Sequence, residues 1–175
     1  MKRRNILSVG LMLSLSACNM TTPEEYFDRT VLNANLISHF GGKEIYDMLQ
    51  GDPQSYDEKS KKMVPSSYVD QVKWRIGSTE KAYKDILEMK ETEETKAMLE
   101  ASKDLFSFAV DKEKNGYLSI AAMKDAHAPD DSIKQAVSNF DQQYQDTFGQ
   151  KYDKLMELGK AYADKNHLKV GFTKF

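Results

Sequence analysis

The sequence predicts an all-α fold: a single helical bundle of four to five helices with a short C-terminal tail. Three observations carry that prediction. Apolar residues recur at steps of three and four through most of the 175 residues, the spacing that lines one face of a helix. Helix-start signatures stand at the joints, Thr22-Pro23-Glu24-Glu25 and Pro129-Asp130-Asp131 among them. Only one cysteine is present, so no disulfide within the chain can staple the fold and stability has to come from a packed core.

The first helix opens at Thr22 as N-cap, with Pro23 in the first turn and Glu25 closing a capping box. Tyr26, Phe27, Val31, Leu32, Leu36, Ile37 and Phe40 form its apolar face, and Gly41-Gly42 are expected to end it in left-handed caps. A short helix over 43–50 carries Ile45, Tyr46, Met48 and Leu49. The polar, proline-bounded stretch 52–66, with Lys59, Lys61 and Lys62, reads as the one long loop, and such loops are often functional. From Ser67, the series Val69, Val72, Ile76, Thr79, Tyr83 and Ile86 predicts a helix with a weak point at Gly77-Ser78. A further helix begins near Thr92 and places Met98, Leu99, Leu105, Phe106, Phe108 and Val110 inward until Asn115-Gly116 interrupts it. The segment 117–128 is again helical, with Ile120, Ala121 and Met123 facing the core. The last helix follows Pro129, with acids at the positive end of its dipole. Ile133, Val137, Phe140, Tyr144, Phe148, Leu155 and Tyr162 line it, and Asn166-His167 close it. The alternating tail 168–175 has no sheet to join and is expected to lie along a groove of the bundle.

The N-terminus reads differently. Lys2, Arg3 and Arg4 precede an apolar run through Ile6, Val9, Leu11, Met12, Leu13 and Leu15, and small residues stand before Cys18. This is the pattern of a cleaved secretory signal, and the run of about a dozen residues is shorter than the roughly twenty of a spanning helix. Leu15-Ser16-Ala17-Cys18 resembles the lipobox of bacterial lipoproteins. The resemblance implies a cleaved signal over 1–17, lipidation of Cys18 by a diacylglycerol thioether and an amine-linked acyl chain, a tether over 18–22, and a bundle domain over 23–175. Asn19 stands where Asp would favour retention at the inner membrane, so the resemblance also implies the periplasmic face of the outer membrane. Several acyl chains together anchor a protein stably. A tether of four residues reaches at most about 15 Å, which holds the domain against its leaflet. Removing residues 1–17 takes away three positive charges and no acid, moving the net charge from −2 to −5. That balance argues against nucleic acid as a partner and against adhesion to anionic lipid through a basic face.

The strongest chemical pattern within the domain is Asp111-Lys112-Glu113-Lys114-Asn115-Gly116-Tyr117, which resembles the start of an EF-hand calcium loop. Asp111, Glu113 and Asn115 would be side-chain ligands and Tyr117 a carbonyl ligand. Glu113 departs from the usual Asp or Asn, and Ala122 replaces the closing bidentate Glu, so a plain helix end competes with that reading. His39, His127 and His167 have no metal-ligand spacing, and Asp125 with His127 would point to different faces of a helix. Ser78-Thr79-Glu80-Lys81 fits a Ser-x-x-Lys serine-enzyme motif without its companion elements. Paired acids such as Glu93-Glu94 sit at predicted helix starts, where the dipole accounts for them. Tyr68 and Trp74 fall off the main stripe of their helix, beside Lys61 and Lys62, where an interaction face competes with simple packing on a neighbouring helix.

The function these features lead to is a membrane-anchored periplasmic lipoprotein acting as a non-enzymatic binding or accessory protein, without cofactor. Its protein partner would lie at the membrane surface, in an envelope complex or as the target of an immunity or exclusion factor. A ligand- or metal-binding lipoprotein, or an envelope enzyme with an unrecognised site, is the alternative.

Overall fold

Thr22 opens the first helix as its sequence requires: its hydroxyl accepts from the Glu25 amide at 3.2 Å, and its own amide donates to Glu25 Oε2 at 3.1 Å. The computed structural model describes residues 21–171. The signal segment, Cys18 and its tether up to residue 20 lie outside the described residues, as do the last four residues of the tail. In chain order the elements are α1 (Pro23–Thr30), a 3₁₀ turn (Leu32–Ile37), α2 (Gly42–Met48), β1 (Gln54–Asp57), β2 (Lys62–Pro65), α3 (Tyr68–Leu87), α4 (Lys96–Lys112), a π-helical turn (Glu113–Tyr117), α5 (Leu118–Asp125) and α6 (Asp130–Lys165). The fold is the expected helical bundle, with one small hairpin added. No helix among the described residues is long and apolar enough to cross a membrane.

The first predicted helix divides. Beyond α1 the buried residues are Val31, Ala34, Ile37 and Phe40, a repeat of three that matches the three residues per turn of a 3₁₀ helix. Leu32 and Leu36, assigned to the apolar face from the sequence, are each 43% exposed instead. Gly41 alone adopts a positive φ, at 145°, whereas Gly42 begins α2, so the two glycines join two helices rather than cap one.

The stretch 52–66 is not a loop. β1 and β2 pair antiparallel with Gln54 opposite Pro65 and Tyr56 opposite Met63. The Asp57 side chain accepts the amides of Lys59 at 3.2 Å and Ser60 at 3.0 Å, and Lys61 turns the chain at φ 55°. That side-chain turn closes the hairpin. α3 runs unbroken for 20 residues through Gly77-Ser78, the single helix expected there.

Asn115-Gly116 does not interrupt the chain either: α4 passes through the π turn into α5, and neither residue has a positive φ. Gly116 is required for space. A Cβ there would lie 2.4 Å from the Phe140 ring. Phe140 and Phe148 of α6 meet Phe40 at centroid distances of 5.4 and 4.3 Å, and Tyr117 completes this aromatic centre. α6 is 36 residues long, about 54 Å at the helical rise, and it packs on α1, α2, α4 and α5. After Asn166 the tail turns back, with Leu168 and Val170 half-buried against the core.

Candidate functional site

Two regions stand out from the bundle. The first is the surface formed by the hairpin and the start of α3. Side chains alternate across a strand, and here Ser55 and Val64 are half-buried while Tyr56 and Met63 stand exposed directly opposite one another. Trp74, on α3, is 52% exposed. Lys61 reaches Glu58 at 3.0 Å, and Lys62 lies exposed on β2 opposite Asp57. Tyr68 is half-buried, and its hydroxyl donates to the Gly51 carbonyl at 3.1 Å. Of the interaction candidates, Trp74, Lys61 and Lys62 are therefore at the surface, whereas Tyr68 ties the entry of the hairpin to α3.

The root of α3 is held by a carboxylate from another helix. Asp125 of α5 accepts the Tyr68 amide at 2.9 Å and the Val69 amide at 3.0 Å. A negative charge at these otherwise unpaired amides is favourable in itself and through the helix dipole. Asp125 is thus a capping residue, and His127 turns away at φ 54° where α5 ends. Asp125→Ala is expected to lower stability by about 1–2 kcal/mol in urea unfolding, the usual cost of a lost cap.

The second region is a buried polar cluster where α2, α3 and the π turn meet. Arg75 of α3 donates to the Leu36 carbonyl at 2.7 Å, to Glu44 Oε1 of α2 at 2.6 Å and to the Thr79 hydroxyl at 3.0 Å. The Tyr117 hydroxyl accepts the Gly41 amide at 2.7 Å and donates toward the Gly41 carbonyl at 2.9 Å and Glu44 Oε2 at 3.1 Å. Burial first, and then the Glu44 carboxylate, push the Tyr117 phenol up, so it stays neutral. Glu113 is fully buried beside this network; the Thr79 hydroxyl stands near its carboxylate, but neither oxygen is held in a well-formed hydrogen bond. Burial pushes its carboxyl up to about 7, against the pull of the Arg75 charge.

This geometry replaces the calcium-loop reading of Asp111, Glu113, Asn115 and Tyr117. The four residues lie on continuous helical backbone, which cannot wrap around an ion. Asp111 and Asn115 are exposed and hydrogen-bond each other at 2.7 Å, while Glu113 and Tyr117 are turned into the core. No group of three or more potential metal ligands exists among the described residues. The Ser78-Thr79-Glu80-Lys81 match dissolves likewise. Thr79 is buried against Arg75, Glu80 pairs with Lys114, and Lys81 pairs with Asp85 at 2.9 Å along the helix.

Glu44 and Arg75 were not singled out from the sequence, and Glu113 was assigned another role. A signal existed: Leu105-Phe106, Ala109-Val110, Glu113 and Tyr117 make one stripe at steps of three and four, and a charged residue on such a stripe is buried. Two grooves run along α6. One of about 380 Å³ runs between His39, Lys43, Asp141 and Gln145; the other, of about 240 Å³, lies between Asn115, Ser119, Asn139 and Gln143. Compared with protein families, curated proteins and solved structures, the chain matches none of them.

Proposed function

We propose that this chain is a lipid-anchored envelope protein that binds a protein partner through the hairpin and Trp74. The observation that carries the reading is the exposed pair Tyr56–Met63, with Trp74 52% exposed, on a domain whose first helix is capped at Thr22. Large aromatic and methionine side chains are enriched at interface centres. Three residues separate Cys18 from that cap, so a lipid on Cys18 would hold the start of α1 close to the leaflet, with the hairpin at the opposite end of α3.

Photo-crosslinking in cells tests the proposal. A crosslinker placed at Met63 or Trp74 of the full chain is expected to yield a discrete protein adduct, and one at the exposed Gln150 of α6 is not. Cys18→Ser is expected to abolish both the adduct and incorporation of a palmitate analogue, because serine cannot form the thioether. Equal adducts from all three positions, or label retained on the serine variant, would count against the reading. A second reading, binding of a small ligand, draws on the groove of about 380 Å³ beside Gly41, which falls within the range of ligand sites.

A further inference from the structure

Glu113 presents a problem that the fold alone does not resolve. An ionised carboxylate with at most the Thr79 hydroxyl to solvate it is costly in a dry interior, and the group avoids that cost by staying neutral or by finding a cation. The charged and titratable groups around it come from three elements. α3 presents Arg75 and Glu80, with the Thr79 hydroxyl; α2 presents Glu44; the π turn itself presents Tyr117 and Lys114, the latter paired with Glu80. Arg75 is committed to Glu44 at 2.6 Å, in a pair whose side chains are only 21% and 13% exposed. Single π turns inside α-helical segments frequently mark functional positions, and this one sets Glu113 in the core while directing Tyr117 at the Gly41 backbone.

We propose that Glu113 is a proton-operated latch: as the neutral acid it leaves Arg75 to clamp α2 onto α3, and as the carboxylate it draws Arg75 away from Glu44 and frees α2. Loss of the proton to solvent places two carboxylates, Glu113 and Glu44, in competition for one guanidinium. α2 is only seven residues long. Besides Arg75, its entry is held by the Tyr117 hydroxyl on Gly41 and by Asp141, which accepts the Gly42 amide. Releasing Glu44 loosens the wall formed by Gly41 and Lys43 of the groove it shares with Asp141 and Gln145. With Glu113 poised at about 7, the latch responds to mild changes around neutrality.

Hydrogen exchange of the full chain in detergent micelles tests the latch. Between about pH 6 and about pH 8, the amides of Ile45 to Leu49 in wild type are expected to lose protection by about tenfold, after correction for intrinsic exchange, following the change in ionised fraction. Glu113→Gln keeps the site neutral and is expected to hold the same protection at both values. Glu44→Gln removes the partner of Arg75 and is expected to show low protection at both. Infrared spectroscopy of wild type adds a readout that needs no variant: a protonated-carboxyl band should disappear with a midpoint matching the loss of α2 protection. Unchanged α2 protection in wild type, a pH response that persists in Glu113→Gln, or a band that titrates apart from α2 protection would each overturn the proposal.

Discussion

Phe140→Ala is expected to cost about 3–5 kcal/mol, the usual range for removing a buried aromatic ring. Phe140 is 4% exposed and contacts Phe40, Tyr117 and Tyr144 at centroid distances of 5.0 to 5.4 Å. Gly116 lies against the ring, leaving little slack for the surrounding residues to collapse into the space. Urea unfolding would show a lowered midpoint with an unchanged slope. Gly116→Ala supplies a control on the mechanism. In wild type its new methyl collides with the ring, whereas in the Phe140→Ala background it has room, so the two losses should fall well short of additive. Full additivity would contradict this contact.

Stability is also expected to fall by about 3 kcal/mol as pH rises from about 4.5 to about 7, through Glu113 alone. Its folded carboxyl titrates near 7 and its unfolded one near 4.5. Between those values the native state holds a proton that the unfolded chain has released, so each rise in pH favours unfolding. The contribution is complete below the unfolded value and exhausted above the folded one. Asp57 and Glu94 act in the opposite sense. Hydrogen bonds from Ser60 and from Asn166, respectively, hold them below the ordinary carboxylate range, so they give up stability only in acid. Both lie at the solvated surface and weigh little. Glu113→Gln should flatten the decline toward neutrality while leaving the acid limb intact. A wild-type profile flat between about pH 5 and 7 would contradict the burial of this group.

The bundle was legible because its apolar stripes are long. α3, α4 and α6 repeat at steps of three and four over enough residues to be unambiguous, and the Thr22 capping box names its own helix start. What escaped was short or had two meanings. The repeat Val31, Ala34, Ile37, Phe40 also belongs within a broad α-helical face, and only packing selects the 3₁₀ geometry that leaves Leu32 and Leu36 outside. Four-residue strands in a lysine-rich stretch give little alternation to read. Asn115-Gly116 looked like a stop because this pair favours turns, yet here the glycine answers to the Phe140 ring. The polar cluster was partly visible: Glu113 lies on the apolar stripe of α4, but its meeting with Arg75 and Glu44 joins residues up to about seventy positions apart, and local pattern carries no information on that.

The length and position of α6 bear on how the polypeptide reaches its folded state. Among the described helices α6 comes last in the chain, and it supplies one wall of the core from end to end. Val31 of the first turn packs on Gly159, where a Cβ would stand 2.6 Å from it, and Gly42 is held by Asp141. A nascent chain that stops before Asp130 leaves Val31 without Gly159, and Phe40 without Phe140 and Phe148, so its early helices dock on an incomplete core. Loop-closing contacts of such sequence separation form late and slowly. The core therefore closes only once α6 is available.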